Sequence, residues 1–141
     1  MLRVELEIAL IEGRVEVSGL PEVWTAKMQE YLGLTPPDAA RGVLQDIHWS
    51  IGAMGYFATY TLGNLISAQL WDTFGRTHPS RDAEIARGDF GALLAWLRES
   101  VHRHARKFLP QELVERVTGS KIDPEPYLRY LETKYGEIYG V

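Results

Sequence analysis

Cysteine is absent from the 141 residues. That excludes a disulfide framework, a thiolate metal site and a cysteine nucleophile, and it makes the cytoplasm the expected setting. No apolar run approaches the roughly 20 residues that span a bilayer, and no cationic, then apolar, then small-residue leader opens the chain. No membrane partner is therefore expected. Basic residues form no dense run outside Arg98 to Lys107, and the net charge is −4, so nucleic acid is not an expected partner either. Internal repeats and low-complexity linkers are also missing. What is present is 45% hydrophobic and 24% charged, a composition that folds. The length suits one domain with a core, and a single all-helical domain over residues 1–141 is expected.

Residues 2–12 alternate like a strand at Leu2, Val4, Leu6 and Ile8, but Leu2, Leu6 and Leu10 also share a helical face. Glu5, Glu7, Ala9 and Leu10 favour helix, so a helix buried on more than one side is predicted. Its glutamates, Glu5, Glu7 and Glu12, are expected on a solvated face. Pro21 suits a first helical turn, with Trp24, Met28, Tyr31 and Leu32 on one face until Gly33. Thr35-Pro-Pro-Asp38 predicts a short capped helix ending near Gly42. Helical period returns from about Thr59 to Phe74, with a stop at Gly75. Ser80 caps a brief helix stopped by Gly88. Asp89 caps an amphipathic one with Phe90, Leu93, Leu94, Leu97, Val101 and Phe108 in its stripe, closed by Pro110. A short helix runs to Gly119, and Asp123-Pro124 starts the last, with Leu128, Leu131, Tyr135 and Ile138 facing inward.

Chemistry has few places to reside. No H-E-x-x-H helix occurs. His102 and His104, two apart, point in different directions on a helix, which fits one solvated and one packed histidine better than a joint ligand pair. His78, beside a proline, is expected at the surface. Thr118 to Lys121 has the residues of a phosphate loop without the strand before it, and fits the stop of one helix and the approach to another. The remaining stretch, GVLQDIHWSIGAMGYFATY at 42–60, sets polar groups among large aromatics and three glycines. Two readings stand side by side. In one it is a buried turn, with Asp46 capping a helix, His48 bonded to a backbone carbonyl, and Trp49 and Phe57 packed. In the other, Gln45, His48, Tyr56 and Tyr60 are donors aimed at a carbonyl or carboxylate. Neither supplies a nucleophile.

The same residues resemble the C-terminal signature of the Taq-type thermostable metallocarboxypeptidases, G-x-x-Q-D-x-H-W followed by G-Y-F-P-T-Y. Gly42, Gln45, Asp46, His48 and Trp49 match the first element. Gly55, Tyr56, Phe57, Thr59 and Tyr60 match the second, with Ala58 in the place of proline. The likeness continues through MLRVELEIALIEG, LPEVWTAKMQEYLG, LGNLISAQL, VHRHARK (with Ala105 where the family has glycine) and YLRYLETKYGEIYG.

The resemblance implies an all-α, multi-helix C-terminal portion of a neurolysin-like, zincin-type helical peptidase, a hydrolase that removes C-terminal residues from peptides. In the family, zinc or cobalt is held by an H-E-x-x-H helix and a third glutamate, with an arginine motif for the substrate carboxylate. All lie upstream of the part resembled here, which is the last quarter to third of an enzyme. This chain is accordingly expected to hold no metal and to be inactive alone. By family likeness His48, Tyr56 and Tyr60 make oxyanion or substrate contacts. Asp46 orients His48, and Gln45 and Trp49 support the wall. The alternative is a stand-alone helical module that binds peptides or assembles with itself. In either case the first helix, apolar on too many sides, and a groove wall without its partner lead us to expect self-association into a homo-oligomer.

Overall fold

Seven α-helices and two single-turn 3-10 helices, with no strand among the described residues, make up the computed structural model, which describes residues 1–140. The all-α expectation holds. The chain divides into two compact units, Met1–Thr61 and the residues from Leu62 onward. No helix among the described residues is long and apolar enough to cross a membrane.

In the first unit, α1 (Leu2–Ile11) and α2 (Leu20–Leu32) pack through Leu6, Leu20 and Trp24, with Val43 closing the cluster. Burying side chains of this size stabilises by about 1.5–3 kcal/mol each. The helical choice for residues 2–12 is correct because Leu2, Leu6 and Leu10 all reach that cluster. Ion pairing also ties the two helices. Glu5 accepts from Lys27 Nζ and from Tyr31 Oη, each at 2.6 Å. The lysine and the phenol together hold the Glu5 carboxyl below its usual range, and the same carboxylate raises both Lys27 and Tyr31. Gly33, in the left-handed region, ends α2 as expected.

No helix forms between Leu32 and Ala58, which corrects the one expected at 35–42. Thr35 and Pro36 each precede a proline, and the proline ring disfavours helical geometry in the residue before it. Asp38 then bonds locally, accepting the Arg41 backbone N–H at 2.9 Å and its guanidinium at 2.7 Å, so it fixes a turn.

The second unit carries most of α3 (Ala58–Thr77), followed by α4 (Arg81–Ala86), α5 (Gly91–Ser100), α6 (Pro110–Thr118) and α7 (Glu125–Tyr139). Phe74 and Val114 are buried there, with the His78 ring stacked 4.2 Å from Phe74 and Trp96 at 5.5 Å. His78 is thus half-buried packing rather than a surface residue. Gly75 does not stop α3. A Cβ there would run into the Arg81 guanidinium, which lies over the Trp71 ring, so this glycine serves a close approach inside a continuing helix.

Gln69, buried on α3, organises the α6–α7 connection. Its amide nitrogen, with two hydrogens to donate, lies within 3.0 Å of Thr118 Oγ1, Ser120 Oγ and the Lys121 carbonyl, and its oxygen accepts the Asp123 N–H. The segment with phosphate-loop composition is therefore a helix stop wrapped around a buried amide, as the chain pattern implied.

Two expectations fail in this unit. The stripe drawn from Phe90 to Phe108 breaks at Ser100, and a 3-10 turn (His102–His104) follows. Six residues, His102 to Lys107, separate Val101 from Phe108, and none of them carries a large apolar side chain. His102 is exposed and His104 packs 5.3 Å from Phe108. On α7, Leu128, Tyr135 and Ile138 are exposed, and only Leu131 of the expected inward face is half-buried. One side of α7 instead borders an open groove of about 1110 Å³ shared with α3 and α4.

Candidate functional site

Residues 42–57 form a chain of turns anchored at both ends by buried side chains, Val43 and Phe57. The Ala53 N–H reaches back to the His48 carbonyl at 2.8 Å, and Gly52 N–H to the Trp49 carbonyl at 3.1 Å. Gly52 and Gly55 both sit at φ +78°, where a side chain would be strained. Tyr60 then projects from the first turn of α3.

His48 is held at both ring nitrogens. Asp46 Oδ1 lies 3.2 Å from Nδ1, and Tyr60 Oη lies 2.9 Å from Nε2. An ionised carboxylate only accepts, so Nδ1 carries the proton and, in the neutral ring, Nε2 accepts the Tyr60 O–H. The Tyr56 ring stacks on His48 with centroids 5.8 Å apart and planes 25° apart, and Phe57 lies beneath at 4.6 Å. Tyr56 and Tyr60 meet edge to face at 5.5 Å and are about half exposed.

The Asp46 carboxylate has further partners. Its Oδ1 also accepts the His48 backbone N–H at 3.2 Å, and its Oδ2 accepts Arg3 Nε at 2.8 Å. Burial alone would raise its pKa. The His48 N–H and imidazole together with the Arg3 cation outweigh burial and hold the carboxyl below the ordinary aspartate range. Arg3 in turn lies over the Trp24 and Phe57 rings, 5.2 Å from each centroid.

The structure thus brings together Asp46, His48, Tyr56 and Tyr60. Trp49 supports them, half-buried and 6.0 Å from Phe57. Gln45 stands apart: it is exposed, and its backbone N–H closes a turn on the Gly42 carbonyl. The buried-turn reading fails in two details, since Asp46 caps no helix and His48 bonds a carboxylate and a phenol instead of a carbonyl.

Two neighbours of this cluster escaped the sequence reading. Arg3 reaches Asp46 from α1, and Glu7, expected on a solvated face, is 2% exposed. Glu7 Oε1 accepts the Trp49 indole N–H and the Gly55 N–H, each at 3.0 Å. The available signal was their spacing: Arg3 and Glu7 lie one turn apart among Leu2, Leu6 and Leu10 on a helix with an apolar face.

Chemically the wall offers a carbonyl or carboxylate the Tyr56 phenol, beside a Tyr60 phenol whose O–H is engaged on the oriented imidazole. As a metal centre its donors do not fit. Both His48 nitrogens are engaged, and no group of three or more His, Asp or Glu positioned to hold a metal occurs among the described residues.

The sequence profile of the family described as carboxypeptidase Taq (M32) metallopeptidase matches residues 1–135. The thermostable carboxypeptidase 1 of Thermus thermophilus is 44% identical over 140 residues, which is 99% of this chain and 28% of that protein. Carboxypeptidase 1 of Bacillus subtilis is 38% identical over 139 residues, again 99% of this chain and 28% of the relative. The crystal structure of the M32 carboxypeptidase from Deinococcus radiodurans R1 superposes with a TM-score of 0.93 at 45% identity, covering 99% of this chain and 28% of that one. The chain therefore spans about 28% of the length of these relatives.

Proposed function

The chain belongs to the carboxypeptidase Taq (M32) metallopeptidase family, matching a C-terminal part of its relatives, and from that premise we propose that it forms one wall of a metallocarboxypeptidase active site. Peptide C-termini are the proposed substrate, the cytoplasm the proposed setting, and a neurolysin-like helical arrangement the proposed full-length fold. Zinc or cobalt would be held by residues outside this chain, and the chain alone is inactive in this reading.

The observation that carries the proposal is the Asp46–His48–Tyr60 hydrogen-bonded line with Tyr56 stacked on its central ring. Asp46 fixes the tautomer and the ring plane of His48. While the ring is neutral, the Tyr60 proton is engaged on Nε2. A substrate oxygen brought beside this line would compete with Nε2 for the Tyr60 O–H. Tyr56, about half exposed, offers a second O–H to the peptide.

A graft tests this. The 141 residues replace the matched part of the Thermus thermophilus relative, and release of C-terminal residues is followed with zinc or cobalt supplied. Turnover by the graft is expected, with His48→Ala or Tyr60→Phe lowering kcat/KM about 10²–10³-fold. A graft that binds metal but does not turn over, or retains full rate without His48, would sink the reading. So would turnover by the 141-residue chain alone.

A second copy of the chain is the proposed partner. This extension is supported by the exposed aliphatic side chains of the site loop, Leu44, Ile47 and Ile51.

A further inference from the structure

Glu7 is almost fully buried on α1, where a carboxylate is costly unless its oxygens are bonded. Its Oε1 is satisfied by two neutral donors, the Trp49 indole and the Gly55 backbone N–H. Arg3, the cation one turn earlier, is engaged by Asp46 instead. For packing alone an apolar side chain of this size would serve as well or better.

The informative feature is where those donors lie in the chain. Trp49 directly follows His48, and Gly55 directly precedes Tyr56. A single oxygen therefore closes the 49–55 loop, and the two residues at its exits are the stacked pair of the candidate site. Gly55, at φ +78°, has a backbone that turns its N–H to that oxygen.

We propose that Glu7 is a positioning residue: reaching from α1, its carboxylate closes the 49–55 loop and so sets the spacing of His48 and Tyr56. Its consequence for turnover rests on the function proposed above, whereas its structural effect does not.

The test has two arms. In the 141-residue chain, amide exchange at Gly55 and the His48–Tyr56 ring contact are followed by NMR in Glu7→Ala, Glu7→Gln and Trp49→Phe. Glu7→Ala is expected to speed Gly55 exchange at least about tenfold and to weaken the ring contact. Glu7→Gln, which keeps an acceptor oxygen, restores both. Trp49→Phe removes one donor without emptying the α1 site, so a loosened ring contact there supports the tether even if Glu7→Ala does not fold. In the graft, Glu7→Ala is expected to lower kcat about tenfold to a hundredfold with KM little changed, and Glu7→Gln to recover most of it.

Unchanged Gly55 exchange and ring contact in a folded Glu7→Ala chain would overturn the proposal. So would unchanged ring contact in Trp49→Phe where Glu7→Ala does not fold, or a Glu7→Gln variant as impaired as Glu7→Ala. An inactive graft with native Glu7 counts against the function alone, and the NMR arm then decides the positioning role.

Discussion

Asp46 joins three groups with one carboxylate: a backbone N–H, an imidazole and a guanidinium from α1. Because these partners hold its pKa below the ordinary value of about 3.9, its contribution favours the folded state above that pH. The contribution is withdrawn as pH falls through the lower, folded value. Asp46→Asn should therefore cost about 1–2 kcal/mol near pH 6, and the gap to the wild type should close as the pH drops below about 4. Denaturant midpoints at a series of pH values measure this, and a gap that stays constant across that window would contradict the pairing. At this scale the sequence showed unevenly. Residues within one short stretch, Asp46, His48, Tyr56 and Tyr60, could be read as a group. Glu7 and Arg3 could not, because their partners lie 42 to 48 positions away, and periodicity reports a face without naming what will cover it.

At the scale of the element, helix ends written in glycine and proline were the legible part: Pro21 opens α2, Gly33 closes it, and Gly119 closes α6. Where local chemistry competed with the helix, the pattern misled. Paired prolines and a turn-forming aspartate defeated the predicted helix at 35–42, and a long gap in the apolar stripe ended α5 early. Gly75, a stop signal by composition, lies inside α3, where the Arg81 guanidinium packs against it. The element after α5 holds a more pointed case. Ala105 has φ 47° and ψ −117°, a conformation glycine adopts freely and alanine does not, at the position where the family resemblance implies glycine. Such strain costs about 1–3 kcal/mol, against about 0.4–1 kcal/mol for the extra freedom of an unfolded glycine. Ala105→Gly is accordingly expected to stabilise the chain by about 1 kcal/mol, seen as a rise of a few degrees in Tm. A fall in Tm would mean that the turn is not strained.

Across the whole molecule, the two expected sources of surplus apolar surface differ in outcome. On the first helix α2 covers Leu6 and Ala9 is buried with it, leaving Ile8 and Ile11 in water, while the wall at 42–60 keeps exposed aliphatics. Exposed apolar side chains recur on the site loop, where Leu44, Ile47 and Ile51 are 69%, 65% and 68% accessible, and on α7. Single exposed aliphatics are ordinary on protein surfaces, but three branched ones in a single loop are what we propose as a self-association patch. A second copy offers the same patch, so association through it can close as a two-fold pair. Light scattering of the 141-residue chain at tens of micromolar should thus give at least twice the monomer mass. Replacing Leu44, Ile47 and Ile51 together by serine should return it to monomer while leaving the helical circular dichroism unchanged, because none of the three is buried. A wild-type monomer at high concentration that binds no hydrophobic dye would show that the patch is not an interface. A triple variant that still associates would move the interface to the exposed face of α7, where Leu128, Tyr135 and Ile138 would be the next residues to replace.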